Sequence, residues 1–400
     1  MLLSSLASRV VDRPKTSRHR VLSVIRWPLG GIRTYVLYLY PALVDAGYRF
    51  TFVGPAHPVF RDFGKEVGHW PGTEFEEAPH KDKDCDLRVT VRRLLRSGRF
   101  DLVHSHGLSA AAQVALANAG VGVPHVTTSH DVFRPNQFPG LVGRLKRWGL
   151  GQLLGWTDGI VSVSHDAQDN LLEYLPGLAR GRTRLVPVRN GINTAQFADA
   201  AEAGEGDLRR RLGIGPDVFL MGFLGRFMEQ KGFLPLLGAL QRLRRAGPPG
   251  PFHLAAVGSG DYLREYQSEV ERRGLADCVT FLPFVPDVGP TLRQLDLLVM
   301  PSLWEACAIL PMEAMAVGVP VLGSSCVGLR EVLRDTPSLT VPPGDEAALA
   351  EGLARAMAAP WKEQARAFAP LARERYDADR AAEGLRQVFE DVLATRRTRR

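Results

Sequence analysis

The stretch "DLLVMPSLWEACAILPMEAMAVGVPVLGS", Asp296 to Ser324, contains one full repeat of the fold. "DLLVMPS" is a short apolar run that reads as a strand, and "PVLGS" reads as a second. Between them, Pro311 suits the first position of a helix, where no backbone N–H is needed. Glu313 is then the third helical residue, and "EAMAVG" runs to a glycine stop at Gly318. Two strands joined through a helix make a parallel pair. Glu305 falls in the loop before the helix, and Glu313 falls in its first turn. The residues between them, including Cys307, Ala308 and Ile309, present backbone N–H groups at a helix start, where anions bind. Carboxylates accept hydrogen bonds from sugar hydroxyls. A helix start alone explains Glu313 cheaply, so spacing leaves open both a working site and a plain electrostatic cap.

The same alternation fills the chain. In the second half "VFLMGFLG", "FHLAAVG", "CVTFL" and "SLTV" join the two runs above as strand candidates. In the first half the candidates are "RVLSVI", "YRFTFVG", "FDLVHSH", "PHVTTSH", "DGIVSVS" and "TRLVPV", with helical patterns such as "LSAAAQVALANAG" between them. The stretch from Thr194 to Asp207 is small, acidic and glycine-containing, which marks a linker. The expectation is an α/β chain of two Rossmann-like, doubly wound parallel-sheet domains facing across a cleft. The first spans 1–195, the linker 196–207, the second 208–374, and a last helix 375–400.

Ligands of such sheets sit beyond the carboxyl ends of the strands. After the first strand, Gly30 and Gly31 precede a helix whose start offers free N–H groups to an anion. A plain strand-to-helix turn explains them equally well. Pro41 is expected to kink or end that helix. After the first strand of the second half comes "GRFMEQKG", with Gly225, Arg226 and Lys231. Two cations beside a helix start suit a diphosphate, Arg226 as a planar fork and Lys231 as a point charge. Cations there oppose the helix dipole, so plain solvation is the weaker reading.

The ordered set of motifs resembles the retaining glycosyltransferases of family 4, which have the GT-B fold. The resemblance runs from about Val21 to about Ala358. Its signature is a glutamate, seven residues and a second glutamate, here Glu305 and Glu313. "GGIRTYVLYL", "DLVHSHG", "TSHD", "VSVSHDAQDNL", "VRNGINTAQF", "GFLGRFMEQKG", "VGSGD" and "VPPGD" match further family segments in order.

The resemblance implies a nucleotide-diphosphate sugar held mainly by the C-terminal domain, a UDP-sugar before a GDP-sugar, and an acceptor held mainly by the N-terminal one. Arg226 and Lys231 would neutralise the diphosphate, Glu313 would bind the ribose hydroxyls and Glu305 the donor sugar. Gly30 and Gly31 would bring backbone to the diphosphate, and His130 would lie near the transferred sugar and acceptor. Neither a metal nor a cofactor is implied. The last helix of the fold usually crosses back to the first domain. Two positions depart from the family, which usually has a glycine near Ala308 and an aromatic at Cys307. A nucleotide-sugar epimerase on the same fold and a non-catalytic nucleotide-sugar-binding protein stand as alternatives. A nicotinamide enzyme is disfavoured, because no strand is followed by a full G-x-G-x-x-G.

Composition narrows the partners. The 400 residues are 45% hydrophobic and 23% charged, with a net charge of +7. That balance favours anionic partners, and the motifs point to a phosphorylated small molecule rather than nucleic acid. "LVGRLKRWGLGQLLGW", residues 141–156, mixes Arg144, Lys146 and Arg147 with leucines and two tryptophans. A basic amphipathic helix can lie on an anionic membrane surface, which would suit a lipid-linked acceptor in polysaccharide or glycolipid synthesis. A helix packed on its own sheet is the plainer alternative. The first residues lack a basic secretory n-region, no run nears the ~18 apolar residues of a membrane span, and none of the four cysteines forms a CxxC pair. A cytoplasmic protein, peripheral at most, is expected. "KDKDCD" contains D-x-D matches at Asp82/Asp84 and Asp84/Asp86, but no hydrophobic strand precedes it, so it reads as a solvated loop.

Overall fold

The computed structural model describes residues 19–81, 84–198 and 207–397. One sheet holds β1 (His19–Ile25), β2 (Tyr48–Pro55), β3 (Glu74–Ala78), β4 (Leu102–His106), β5 (His125–Ser129), β6 (Gly159–Ser162) and β7 (Arg184–Pro187). The second large sheet holds β8 (Phe219–Arg226), β9 (Phe252–Ser259), β10 (Val279–Leu282), β11 (Leu297–Met300), β12 (Val321–Ser324) and β13 (Leu339–Val341), and a separate two-stranded antiparallel pair joins His80–Lys81 to Asp84–Cys85, where a loop was expected. The spatial orders of the two large sheets are β3-β2-β1-β4-β5-β6-β7 and β10-β9-β8-β11-β12-β13. All pairings in both sheets are parallel. Each order runs outward from a central strand and then reverses, between β1 and β4 and between β8 and β11. A crevice opens beyond the strand ends at such a reversal. Gly30 and Glu305 lie in the segments just after β1 and β11, and Arg226 is the last residue of β8, with Lys231 just beyond it.

The strands follow the apolar runs, with one exception. β3, "EFEEA", carries three glutamates and escaped the sequence reading. It is an edge strand, paired only with β2. Phe75 packs against the core, while Glu74, Glu76 and Glu77 form ion pairs with Arg99, Arg93 and Arg61. Pairing with a buried neighbour and these side-chain partners override poor strand propensity.

The helices that bear on the cleft are α1 (Gly31–Asp45), α2 (Gly140–Leu154), α3 (His165–Tyr174), α4 (Phe233–Ala246), α5 (Leu310–Ala316), α6 (Trp361–Arg375) and α7 (Ala378–Arg397). α1 does not end at Pro41. It continues to Asp45, because Leu39, Tyr40, Leu43 and Val44 are all buried and hold its last turns on the sheet. α5 starts one residue earlier than expected. Leu310 is its first residue, Pro311 its second and Glu313 its fourth. Pro311 still costs no hydrogen bond, since the first four N–H groups of a helix have no partner within it.

α7 lies on the first sheet. Phe389 packs edge-on to His104, Tyr48 donates to Glu390 over 3.0 Å, and Arg184 pairs with Asp391 at 2.8 Å. The chain end thus returns to the half where it began. Of the expected linker, 196–198 end a short helix with Phe197 buried, 199–206 lie outside the described residues, and Asp207 opens the next helix. In "KDKDCD", Asp82 and Lys83 also lie outside them.

α2 is not packed into the sheet along its length. It buries only Gly143 and Leu154, and leaves Leu141, Val142, Leu145 and Trp148 exposed, with Trp156 exposed just beyond it. No helix among the described residues is long and apolar enough to cross a membrane.

Candidate active site

Every residue that the sequence assigned to the donor and acceptor site lines one cleft between the two sheets, of about 510 Å³. Gly30, Gly31 and His130 line it from the first half. Gly225, Arg226, Lys231, Glu305, Cys307, Ala308, Ile309 and Glu313 line it from the second.

The second half supplies the charge. Arg226, at the end of β8, is exposed, and its side chain makes no hydrogen bond or ion pair among the described residues. Lys231 is already engaged: its Nζ lies 2.6 Å from Glu305 Oε1, which also accepts from Ser302 Oγ at 2.8 Å. Gly232 makes this possible. Its φ is +66°, and a Cβ there would lie 1.9 Å from the Pro301 carbonyl oxygen, so only glycine lets the Lys231 turn dock on the Glu305 loop. Glu313 is 6% exposed and accepts from the Tyr38 hydroxyl at 2.8 Å. Burial pushes its carboxyl up to about 7. Desolvation disfavours the charge, and one hydroxyl donor does not cancel it.

The first half supplies backbone, neutral imidazoles and the Asp131 carboxyl, which burial pushes above its ordinary value. Gly30 has φ +52°, and the N-terminus of α1 faces the cleft behind it. His130 follows β5. Its Nε2 lies 3.1 Å from His106 Nδ1, and its ring meets Tyr35 edge-on. Burial pushes the His130 imidazole down to about 3 and those of His104 and His106 well below their ordinary value. All three are uncharged at neutral pH.

The halves also hold one another across the cleft. Ser164 donates to the Ala306 carbonyl at 2.6 Å, and Asn190 Nδ2 to that of Cys307 at 3.3 Å. Asp166 accepts from Gly328 N at 3.1 Å and from Arg330 Nε at 2.8 Å. The Arg134 guanidinium sits 4.8 Å over the Trp304 ring. The loop from Glu305 to Ala308 is therefore shaped by the opposite half. Burial pushes the Cys307 thiol up to about 12, so it packs rather than reacts.

Sequence reasoning quoted the segments containing Tyr38, Ser164 and Asn190 without giving these residues a role. Nothing local marks a side chain that reaches a partner more than a hundred residues away. It also passed over "PFVPDVG" after β10, whose Phe284, Val285 and Val288 line the cleft. There the signal existed, since the segment sits beyond a strand's carboxyl end.

A family model described as Glycosyltransferase Family 4 matches residues 29–196, and one described as Glycosyl transferases group 1 matches 218–359. The chain is 32% identical over 268 residues to a 2-deoxystreptamine N-acetyl-D-glucosaminyltransferase of Streptomyces fradiae, covering 64% of this chain and 62% of that relative's length. It is 30% identical over 285 residues to a 2-deoxystreptamine glucosyltransferase of Streptomyces kanamyceticus, covering 66% of this chain and 70% of that one. The crystal structure of Anabaena Alr3699/HepE in complex with UDP-glucose superposes with a TM-score of 0.76 at 20% identity, covering 94% of this chain and all of that one. The fold is thus that of the GT-B glycosyltransferases, and the chain belongs to glycosyltransferase family 4, group 1.

Proposed function

We propose that this chain transfers a sugar from a nucleotide-diphosphate sugar, a UDP-sugar before a GDP-sugar, to an acceptor hydroxyl with retention of configuration. One observation carries the reading. The unpaired Arg226, Lys231 and the N-terminus of α1 meet in a cleft that also holds Glu313, Glu305 and His130. The names of the Streptomyces relatives and the UDP-glucose in the HepE structure support it.

The nucleobase lies against Phe284, Val285 and Val288, and the ribose hydroxyls donate to Glu313. The diphosphate meets Arg226, Lys231 and the backbone of Gly30 and Gly31. As the bond from the anomeric carbon to the phosphate oxygen breaks, negative charge collects on the leaving diphosphate, and these fixed cations and dipoles stabilise it. The acceptor oxygen bonds to the anomeric carbon on the same face, and its proton passes to a leaving phosphate oxygen. Glu305, already paired to Lys231, binds sugar hydroxyls and is no nucleophile. Ala308 narrows the sugar subsite relative to a glycine.

The exposed apolar residues of α2, beside Arg144, Lys146 and Arg147, fit an anionic bilayer and a glycan or lipid-linked acceptor presented there. Salt-sensitive co-sedimentation with anionic vesicles is expected, and no binding at low salt ends that part of the reading.

A thermal-shift series of UDP, GDP, ADP and their sugars tests the donor. A ligand at about 100 times its Kd adds about 2.7 kcal/mol of stability. No shift with any nucleotide would overturn the reading. Conversion of the donor sugar without an acceptor, followed by NMR, would point to an epimerase instead.

A further inference from the structure

Behind His130 lies a chain of buried polar side chains that the transfer reaction does not use. His130 Nε2 is 3.1 Å from His106 Nδ1. His106 Nε2 is 2.8 Å from the Tyr40 hydroxyl, which is 2.7 Å from His104 Nδ1. His104 Nε2 is 2.8 Å from Thr128 Oγ1. Tyr40, His104, His106 and Thr128 are all at most 2% exposed. The remaining nitrogen, His130 Nδ1, has no partner among the described residues. His130 is half-buried and lines the cleft, so this nitrogen faces the space a ligand would fill.

A neutral imidazole has one N–H and one bare nitrogen. Tyr40 has one hydrogen and sits between two imidazole nitrogens. If it donates to His104 Nδ1, it must accept from His106 Nε2–H. His106 Nδ1 is then bare and accepts from His130 Nε2–H, while His104 Nε2–H donates to Thr128. All three histidines then carry their hydrogen on Nε2. If Tyr40 instead donates to His106 Nε2, the same logic places all three hydrogens on Nδ1. A mixed set leaves either Tyr40 or the His106–His130 contact with two donors or two bare nitrogens facing each other. Among the described residues, the only relief is Ser23, whose Oγ contacts are longer, at 3.3 and 3.4 Å.

We infer that His106, Tyr40 and His104 form a hydrogen-bonded relay that gives the three histidines one shared tautomer and so sets whether His130 Nδ1 offers the cleft a donor or an acceptor. In the Nε2–H state, His130 Nδ1 accepts from a ligand hydroxyl. In the Nδ1–H state, it donates to a phosphate or carbonyl oxygen. His130 stays neutral in both, so one side chain can serve two ligand chemistries without gaining charge. Tyr40, His106 and His104 are positioning residues that act through His130. The functional side of this inference rests on the proposed ligand cleft; the shared tautomer does not.

NMR of the full chain with isotope-labelled histidine reads each tautomer directly at neutral pH. In the unliganded protein the three histidines are expected to share one tautomer, and a mixed set overturns the relay. Tyr40→Phe is expected to split them. His104 then carries Nε2–H toward Thr128, and His106 carries Nδ1–H toward His130. An unchanged set in that variant also overturns the relay. If Tyr40→Phe does not fold, Thr128→Val takes its place. Without that far acceptor a buried Nε2–H has no partner, so His104 should carry Nδ1–H and His130 with it, and a His130 found with Nε2–H in this variant overturns the inference. On titration with a UDP-sugar, His130 and His104 should hold or switch together, and a change at His130 alone refutes the coupling. If no UDP-sugar binds, the donor reading fails, while the unliganded spectra still decide the relay.

Discussion

The two walls of the cleft both bury titratable groups, yet they respond to pH with opposite signs. The first wall buries His104, His106 and His130, all held far below the ordinary imidazole value by desolvation. The second buries Glu313, held up at about 7 by the same cause. In each case burial favours the neutral form. A histidine whose folded value is lowered keeps its stability above about 6.5 and loses it as pH falls, because only the unfolded chain takes the proton. A carboxyl whose folded value is raised keeps its stability at low pH and loses it as pH rises through about 7. Acid therefore strains the first wall, and base strains the second. The difference teaches that the neutral wall is suited to hydroxyl recognition, while the wall carrying Arg226, Lys231 and Glu305 manages charge.

The largest expected effect breaks the first wall. Below about pH 6.5, each buried histidine costs roughly 1.4 kcal/mol of stability per pH unit until it titrates in the folded state. With His125, buried at the opposite end of β5, they make four and outweigh the smaller gain from Glu313. Denaturant midpoints should fall steeply between neutral pH and about pH 5. A flat profile over that range would mean the histidines are solvated and the neutral wall does not exist.

Next in size is loss of charge on the second wall. Arg226→Ala should lower turnover by about 10²-fold or more, since removing one preformed partner of a developing charge costs that much. Its fold stability should not change, because Arg226 is exposed and unpaired. Lys231→Ala should lose activity and also stability, because it leaves the buried Glu305 carboxylate without its cation. Equal melting temperatures in the two variants would show that the Lys231–Glu305 pair is not structural. Full activity in both would remove the donor site.

Glu313→Gln separates function from stability on one side chain. At about pH 8 the wild-type carboxyl is ionised in a dry site, so the amide should raise stability by about 1 kcal/mol. It should also weaken UDP-sugar binding, because ribose hydroxyls lose an anionic acceptor. Wild-type affinity should decline in turn as pH drops through about 7. A variant that gains neither stability nor a binding defect would place the ribose elsewhere.

These contrasts were unequally legible in the sequence. Strand–helix alternation and the loops after β1, β8 and β11 could be read directly, because buried parallel strands are apolar runs and their ends are fixed by topology. That is why Arg226, Lys231 and Glu313 were found. The pairing of Lys231 with Glu305 was not legible, since it depends on Gly232 meeting Pro301 across the sheet. The histidines of "HSH" were visible, yet their neutrality was not, because it comes from burial under α1 and α7. Tyr38, Ser164 and Asn190 went unassigned for the same reason: their partners are set by how two sheets face each other. The acidic β3 was missed because ion pairs at a sheet edge leave no apolar run to see.

The smallest effect tests whether the neutral wall also shapes the charged one. Ser164 caps α3 by accepting from Ala167 N at 2.9 Å, and it donates to the Ala306 carbonyl across the cleft. Ser164→Ala should cost about 1–2 kcal/mol, part cap and part unpaired carbonyl. Asp345 offers the comparison, because it caps the helix Glu346–Ala358 at an exposed site and does not line the cleft. Asp345→Ala should cost about 1 kcal/mol and leave UDP-sugar affinity alone. Ser164→Ala should weaken that affinity as well, because Ala306 begins the backbone that runs through Cys307 and Ala308 to Glu313. If calorimetry finds the same affinity in both variants, the hydrogen bond to Ala306 holds the halves together without shaping the donor loop, and the two walls act independently.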